Sequence, residues 1–242
     1  MPGFKKIAHR GASGDYPENT RLAFVKAIEA GVDMIELDCQ MTRDGHVVIF
    51  HDEDLRRTAG VHGTLRSKTL EQLKQLDIGR WRKKSYRGER ILTLEEALET
   101  VSGEADICVE IKSFPDSARD IELKVLFTLS HYDYLDRVIL SSFDYQCLAR
   151  IRELGPEAAI GVLFDSQTSE DPLMVARRLG ATSIHVQKEV VSRGFLEQAW
   201  EDALDVYVWT VNEVREMEMY VSMGAQGLIS DFPDRFSKLK WR

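Results

Sequence analysis

A (β/α)8 barrel is the fold this sequence predicts, and three observations predict it. Short β-rich runs alternate with amphipathic helical stretches along nearly the whole chain, the pattern left by parallel strands joined through helices. Most of the runs begin at an even spacing. One Asp-Gly pair, Asp44-Gly45, breaks the alternation with a hairpin signal instead of a helix.

Nine runs read as strands: 5–9, 34–38, 47–51, 107–111, 138–142, 160–163, 183–186, 206–210 and 228–230. Helical periodicity fills 20–30, 93–101, 119–130, 145–153, 193–203 and 213–223. Only eight residues, CQMTRDGH, separate Asp38 from Val47. That is too short for a helical crossover, so the 47–51 strand must run back antiparallel to the extension of 34–38 and return His51 toward Asp38. Eight parallel strands remain, starting near 7, 34, 107, 138, 160, 183, 206 and 227. The second interval is 73 residues where the others are 21 to 31. A single domain spanning 1–242 therefore carries one insertion, 39–91, after its second strand and over the catalytic face of the barrel.

Composition narrows the function. No run approaches the ~20 apolar residues needed to cross a bilayer, so no stable membrane anchor is expected. The opening MPGFKK leads into a strand and a polar motif, not an apolar signal core, which predicts a cytoplasmic protein. Cys39, Cys108 and Cys147 lie far apart with no CxxC pair, consistent with reduced thiols and no zinc site. The net charge of -8 argues against a nucleic-acid partner. Residues 53–90 nevertheless hold 11 Lys or Arg against 5 Asp or Glu. This is either a solvated surface or a basic cover that draws in an anionic small-molecule substrate.

Strand periodicity sorts the polar residues by direction. In MIELD, Ile35 and Leu37 must meet the helices, so Glu36 and Asp38 point into the barrel. Likewise Val109 and Ile111 face outward while Glu110 and Lys112 face inward. Three buried carboxylates in one mouth call for positive charge, either from Lys112 and Arg10 or from a cation. An all-oxygen donor set suits Mg²⁺ or Ca²⁺. His9, at the carboxyl end of the first strand, and His51, returned by the hairpin, approach the same mouth as a candidate acid and base pair. His46, His62 and His131 fall at the hairpin tip, in the insertion and at a helix end, and His185 reads as a packing residue inside the barrel. Asn19, Thr20, Asp231 and Pro233 read as caps and turns.

These residues carry a family resemblance. The pieces are AHRGASGDYPENT at 8–20, IELDCQMTRDGHVVIFHD at 35–52, LRRTAGVHGTLRSKTLEQLKQLDIG at 55–79, VEIK at 109–112, VWTVN at 208–212 and GLISDFP at 227–233. In this order and spacing the chain resembles the short bacterial glycerophosphodiester phosphodiesterases over essentially its full length. One departure is Leu92 in RILTLEEAL, where relatives usually carry proline, and it bears on how the second barrel helix begins.

The resemblance implies metal-dependent hydrolysis of substrates such as glycerophosphocholine or glycerophosphoethanolamine to glycerol 3-phosphate and an alcohol. It implies Glu36, Asp38 and Glu110 as ligands of one divalent cation, His9 and His51 as acid and base, and Arg10 and Lys112 as phosphate contacts. Trp209 matches an aromatic wall by the glycerol or leaving group, or else is a core residue. Arg10 can also pair with Glu18. Two alternatives stand beside this reading: cleavage of lysophospholipids or other phosphodiesters on the same barrel, and a non-catalytic binding barrel. The second should lack one of the histidines or carboxylates, and none is lacking. The sequence leaves open the cation, the head group, the order of the histidines, water or a substrate hydroxyl as nucleophile, and the oligomeric state.

Overall fold

Alternation along the strands closes a sheet around its own polar interior, as seen in a computed structural model describing residues 4–114 and 120–240. The strands are β1 (Lys5–His9), β2 (Met34–Met41), β3 (Val47–Ile49), β4 (Asp106–Ile111), β5 (Val138–Ser142), β6 (Ile160–Phe164), β7 (Ser183–Gln187), β8 (Asp205–Trp209) and β9 (Gly227–Ser230). All but β3 are parallel, and β1 pairs with both β9 and β2, which shuts the barrel. The outward residues Ile35, Leu37, Val109 and Ile111 join the main core beneath the helices, while Ile7, Met34, Cys108, Tyr207 and Ile229 form a smaller cluster inside.

The helices are α1 (Arg21–Glu29), α2 (Arg56–Ala59), α3 (Leu70–Lys74), α4 (Leu94–Val101), α5 (Ile121–His131), α6 (Tyr145–Leu154), α7 (Pro172–Leu179), α8 (Arg193–Glu201) and α9 (Val214–Met223). Thr20 caps α1 by accepting from the Ala23 N–H at 3.2 Å. The helix expected over 119–130 is α5, and Arg119 lies outside the described residues. Leu92 does not disturb α4. Thr93 and Glu96 form a capping box there, and buried Leu92 offers its carbonyl to the Ile49 N–H at 2.8 Å. Among the described residues no helix is long and apolar enough to cross a membrane.

The hairpin forms as the Asp-Gly signal predicts, with Cys39 opposite Ile49 and Met41 opposite Val47, and with Gly45 at a φ of +83°. Regular pairing stops two residues before the expected end at 51. The Phe50 N–H still reaches the Asp38 carbonyl at 2.9 Å. Beyond it the buried Gln40 side chain takes over, its amide donating to the carbonyls of Phe50, His51 and Asp52 at 2.8, 3.1 and 2.9 Å. One side chain thus replaces a ladder and fixes the backbone that carries His51.

The rest of the segment between β2 and β4 has its own apolar centre, where Val48, Phe50, Leu55, Leu65, Leu73, Ile78 and Ile91 are all buried. Burying each of these side chains contributes about 1.5–3 kcal/mol, enough together to hold the segment's shape locally. The three cysteines of the sequence, Cys39, Cys108 and Cys147, are free and buried.

Candidate active site

The carboxyl ends of the strands surround a cavity of about 240 Å³ lined by His9, Arg10, Glu36, His51, Glu110, Lys112 and Trp209, among others. Every candidate residue of the sequence is therefore at this mouth, with Asp38 buried directly against Arg10 and Lys112. His46, His62 and His131 are exposed elsewhere on the surface.

The first turn of the site is a backbone feature. After His9 the chain passes through left-handed conformations at Arg10 and Gly11, with φ of +56° and +79°. A Cβ at Gly11 would sit 2.7 Å from the Ala23 carbonyl carbon, so only glycine lets the loop lie on α1. The same turn aims the Arg10 N–H at the Glu36 carboxylate, 2.9 Å away. Its side chain bridges Glu18 at 2.9 Å and Asp38 at 3.1 Å, so the structural pairing and the place in the cavity coexist.

Glu36, Asp38 and Glu110 each offer an oxygen within 4.8 Å of the others, all buried, a spacing one hard cation can span. Lys112 lies 2.9 Å from Asp38 and 2.5 Å from Glu110. The charge is still not balanced. Burial, with repulsion from Asp38 and Glu110, pushes the Glu36 carboxyl well above the usual range. Burial also raises Glu110, against the pull of Lys112. At Asp38 burial acts in the same upward direction, but Lys112 and Arg10 outweigh it and hold the group ionised. Asp38 Oδ1 is buried with no hydrogen bond, close to Lys112 but off the hydrogen-bonding direction. An orphaned oxygen beside two carboxyls short of positive charge fits a divalent cation, and these three residues are the ones that would hold it.

Each histidine is oriented through Nδ1, which leaves Nε2 for chemistry. His51 Nδ1 lies 2.7 Å from Asp52 Oδ1, and burial together with Lys112 and Arg10 takes its imidazole below the ordinary value although Asp38 opposes them. His9 Nδ1 lies 2.6 Å from Asp231 Oδ1. Asp231 also accepts from Ser13 Oγ at 3.0 Å and Asn212 Nδ2 at 2.7 Å. Burial would raise this carboxyl, but these partners bring it down to about 2.

Sequence reasoning missed several polar residues that orient the site, Asp52 beside His51 among them. Asp231, read as a turn residue, orients His9, and the signal was present: Ile229 faces inward on β9 and Asp231 follows it by two. Asn19, read as a cap, instead donates to Asp38 at 2.7 Å, and no sequence signal marks a loop residue for that contact. Gln40 is another. Pro233 does open the last helical turn, as expected.

On the far wall stand Phe143, Leu163 and Trp209, with Phe143 and Trp209 edge to face at 5.9 Å. The Trp209 indole donates to the His185 carbonyl at 2.9 Å. His185 itself floors the cavity as a packing residue, 2.9 Å from Ser183 Oγ and 3.7 Å from Cys108 Sγ, and burial lowers its imidazole to about 3.

Known proteins match this chain along its length. The model of the glycerophosphoryl diester phosphodiesterase family matches residues 9–235. A glycerophosphodiester phosphodiesterase of Caldanaerobacter subterraneus subsp. tengcongensis is 37% identical over 235 residues, covering 96% of each chain. One from Bacillus altitudinis is 35% identical over 245 residues, covering 98% of each. Among solved structures, an Oleispira antarctica phosphodiesterase in complex with the product sn-glycerol-3-phosphate superposes with a TM-score of 0.89 at 28% identity, over 96% of this chain and 94% of that one.

Proposed function

The chain belongs to the glycerophosphoryl diester phosphodiesterase family, and from that premise we propose that it hydrolyses glycerophosphodiesters to glycerol 3-phosphate and an alcohol such as choline or ethanolamine. The observation that carries this reading is one cavity holding two carboxylate-oriented histidines beside an acidic triad, Arg10 and Lys112. The product named for the Oleispira protein supports the same phosphate ester.

A phosphodiester gathers negative charge on its nonbridging oxygens as it reacts. Arg10 and Lys112 offer fixed positive charge to that build-up, and their ion pairs with Asp38 and Glu110 hold them at the cavity wall. A Mg²⁺ or Ca²⁺ ion held by Glu36, Asp38 and Glu110 would polarise the same phosphate.

The partners of the two histidines divide the proton work. Asp52 shares its charge with Arg57, which bonds it at 2.6 and 3.0 Å, and the cations Lys112 and Arg10 face His51. Burial and these cations hold its imidazole below the ordinary value, against the pull of Asp38, which suits the base that deprotonates the nucleophile, water or the neighbouring glycerol hydroxyl. Asp231 bonds Ser13 and Asn212 besides His9, and among the described residues no Lys or Arg side chain competes with the His9 ring for it. His9 then protonates the departing alcohol. Phe143, Leu163 and Trp209 supply the apolar side against which the glycerol or the alcohol rests.

We propose with it one catalytic domain over 1–242, with the 39–91 insertion over the catalytic face, working in the cytoplasm on a small molecule. Lysophospholipid cleavage gains nothing from the insertion, whose Leu65, Leu73 and Ile78 are turned into its own core. Incubating the purified protein with glycerophosphocholine, glycerophosphoethanolamine and lysophosphatidylcholine, with and without chelator, and measuring glycerol 3-phosphate from the first two and lysophosphatidic acid from the third tests the proposal. Turnover of the two glycerophosphodiesters that stops with chelator is expected; full turnover by His9→Ala overturns it.

A further inference from the structure

From α2 of the insertion, Arg57 reaches the two carboxylates that hold His51 and Arg10. Arg57 sits on α2, a four-residue helix pinned by the buried Leu55 and Thr58 and ended by Gly60 at a φ of +70°. Its guanidinium grips Asp52 with Nε at 2.6 Å and Nη2 at 3.0 Å. The same group grips Glu18 with Nη1 at 2.6 Å and Nη2 at 2.7 Å. Neither carboxylate ends there. Asp52 Oδ1 also takes His51 Nδ1, and Glu18 Oε1 also takes Arg10 Nη1. Trp81 covers the guanidinium, its ring centre 5.5 Å from Cζ, and is itself fixed by an indole bond to the Ile78 carbonyl at 2.9 Å.

We infer that Arg57 is a shared positioning residue, setting the orientation of His51 and Arg10 at once. The inference rests on the reading of those two residues as base and phosphate contact. Energetics favour a role in geometry over one in stability. The Arg57 side chain is 43% exposed, and ion pairs with that much solvent add little to folding. A bidentate fork nevertheless fixes the plane of each carboxylate it meets, and lysine, a single point charge, has no such fork. Asp52 and Glu18 then transmit that plane to the imidazole and to the second guanidinium. Rigid support around a site of this kind is worth about 10–100-fold in activity.

Steady-state turnover of glycerophosphocholine by Arg57→Met, Arg57→Lys, Asp52→Asn with Glu18→Gln, and the triple combination tests the inference. Thermal melting and circular dichroism confirm the folded fraction at the assay temperature. Arg57→Met should lose about 10–100-fold in kcat/KM while remaining folded. Arg57→Lys should recover only part of that loss. Adding Arg57→Met to the Asp52→Asn, Glu18→Gln protein should cost little more, since the side chain acts through those two groups. Activity of Arg57→Met within about twofold of the parent, full activity of Arg57→Lys, or losses that multiply in the triple variant overturn the inference. His51→Ala and Arg10→Ala are measured alongside. If they retain full activity, the underlying reading of the site fails; if they are inactive while Arg57→Met is not, only the role of Arg57 fails.

Discussion

Asp231 stands 2.6 Å from His9 although 222 residues separate them in the chain. The contact spans the seam where β9 meets β1, so the last strand orients a histidine delivered by the first. Asp231→Asn keeps the shape and removes the charge. It should lower kcat about 10–100-fold with little change in KM, because the tautomer and charge of His9 matter in the reaction more than in binding. Steady-state kinetics check this, and an unchanged kcat would detach Asp231 from the chemistry.

Leaving-group chemistry separates the two histidines. From a p-nitrophenyl phosphodiester of glycerol the p-nitrophenolate leaves without a proton, so His9→Ala should recover much of its lost rate on that substrate relative to glycerophosphocholine. His51→Ala should be impaired on both. The reverse pattern would exchange their assignments.

Charge in the triad predicts a stability readout independent of turnover. Mg²⁺ or Ca²⁺ at about a hundredfold over its Kd should stabilise the fold by about 2.7 kcal/mol, seen as a rise in Tm. Glu36→Gln should abolish that rise, since it removes one of the three converging negative charges. A metal-linked shift that survives in Glu36→Gln would place the ion elsewhere.

His185 gives a pH prediction with a definite sign. Its ordinary value is 6.5, and burial lowers it to about 3 in the folded barrel. Between those values the unfolded chain binds a proton that the native state does not, so the stability given by a neutral His185 is present above 6.5 and falls as pH drops toward 3. The loss approaches about 1.4 kcal/mol per pH unit. Urea midpoints at pH 7, 5 and 4 should therefore fall less steeply in His185→Gln than in the parent. Parallel slopes in the two proteins would show that another group dominates the acid limb.

How much of this was written in the sequence depends on how local the signal is. The eight strands, the hairpin and the convergence of Glu36, Asp38, Glu110, Lys112, His9 and His51 follow from period-two alternation and one Asp-Gly pair, which are properties of neighbouring residues. The orienting groups are different. Asn19 on Asp38, Gln40 on three carbonyls and Arg57 across Asp52 and Glu18 depend on how loops fold back in space, and no periodicity encodes that. The expected strand over 47–51 ended at Ile49 for the same reason: a distant amide took over the backbone that the alternation pattern assigned to a ladder.

The basic run of the insertion belongs to the same neighbourhood. Tyr86 rests 5.7 Å from Tyr16 in the loop after β1, and Arg82, Lys83 and Lys84 are all exposed nearby in sequence. Replacing the three with glutamine should raise KM more than it lowers kcat, and most at low ionic strength, where attraction of an anionic ester is least screened. Unaltered kinetics across salt would make the run a solvated surface.

The double pairing of β1, with β2 on one side and β9 on the other, also sets an order of events at the ribosome. The first strand emerges early, yet one of its edges has no partner until residue 227 and those after it have been made. Until then the growing chain exposes an unpaired edge, the kind of surface on which nascent proteins misassociate. His9 reaches its carboxylate only when that edge is filled, so catalytic competence arrives last, as a by-product of finishing the fold.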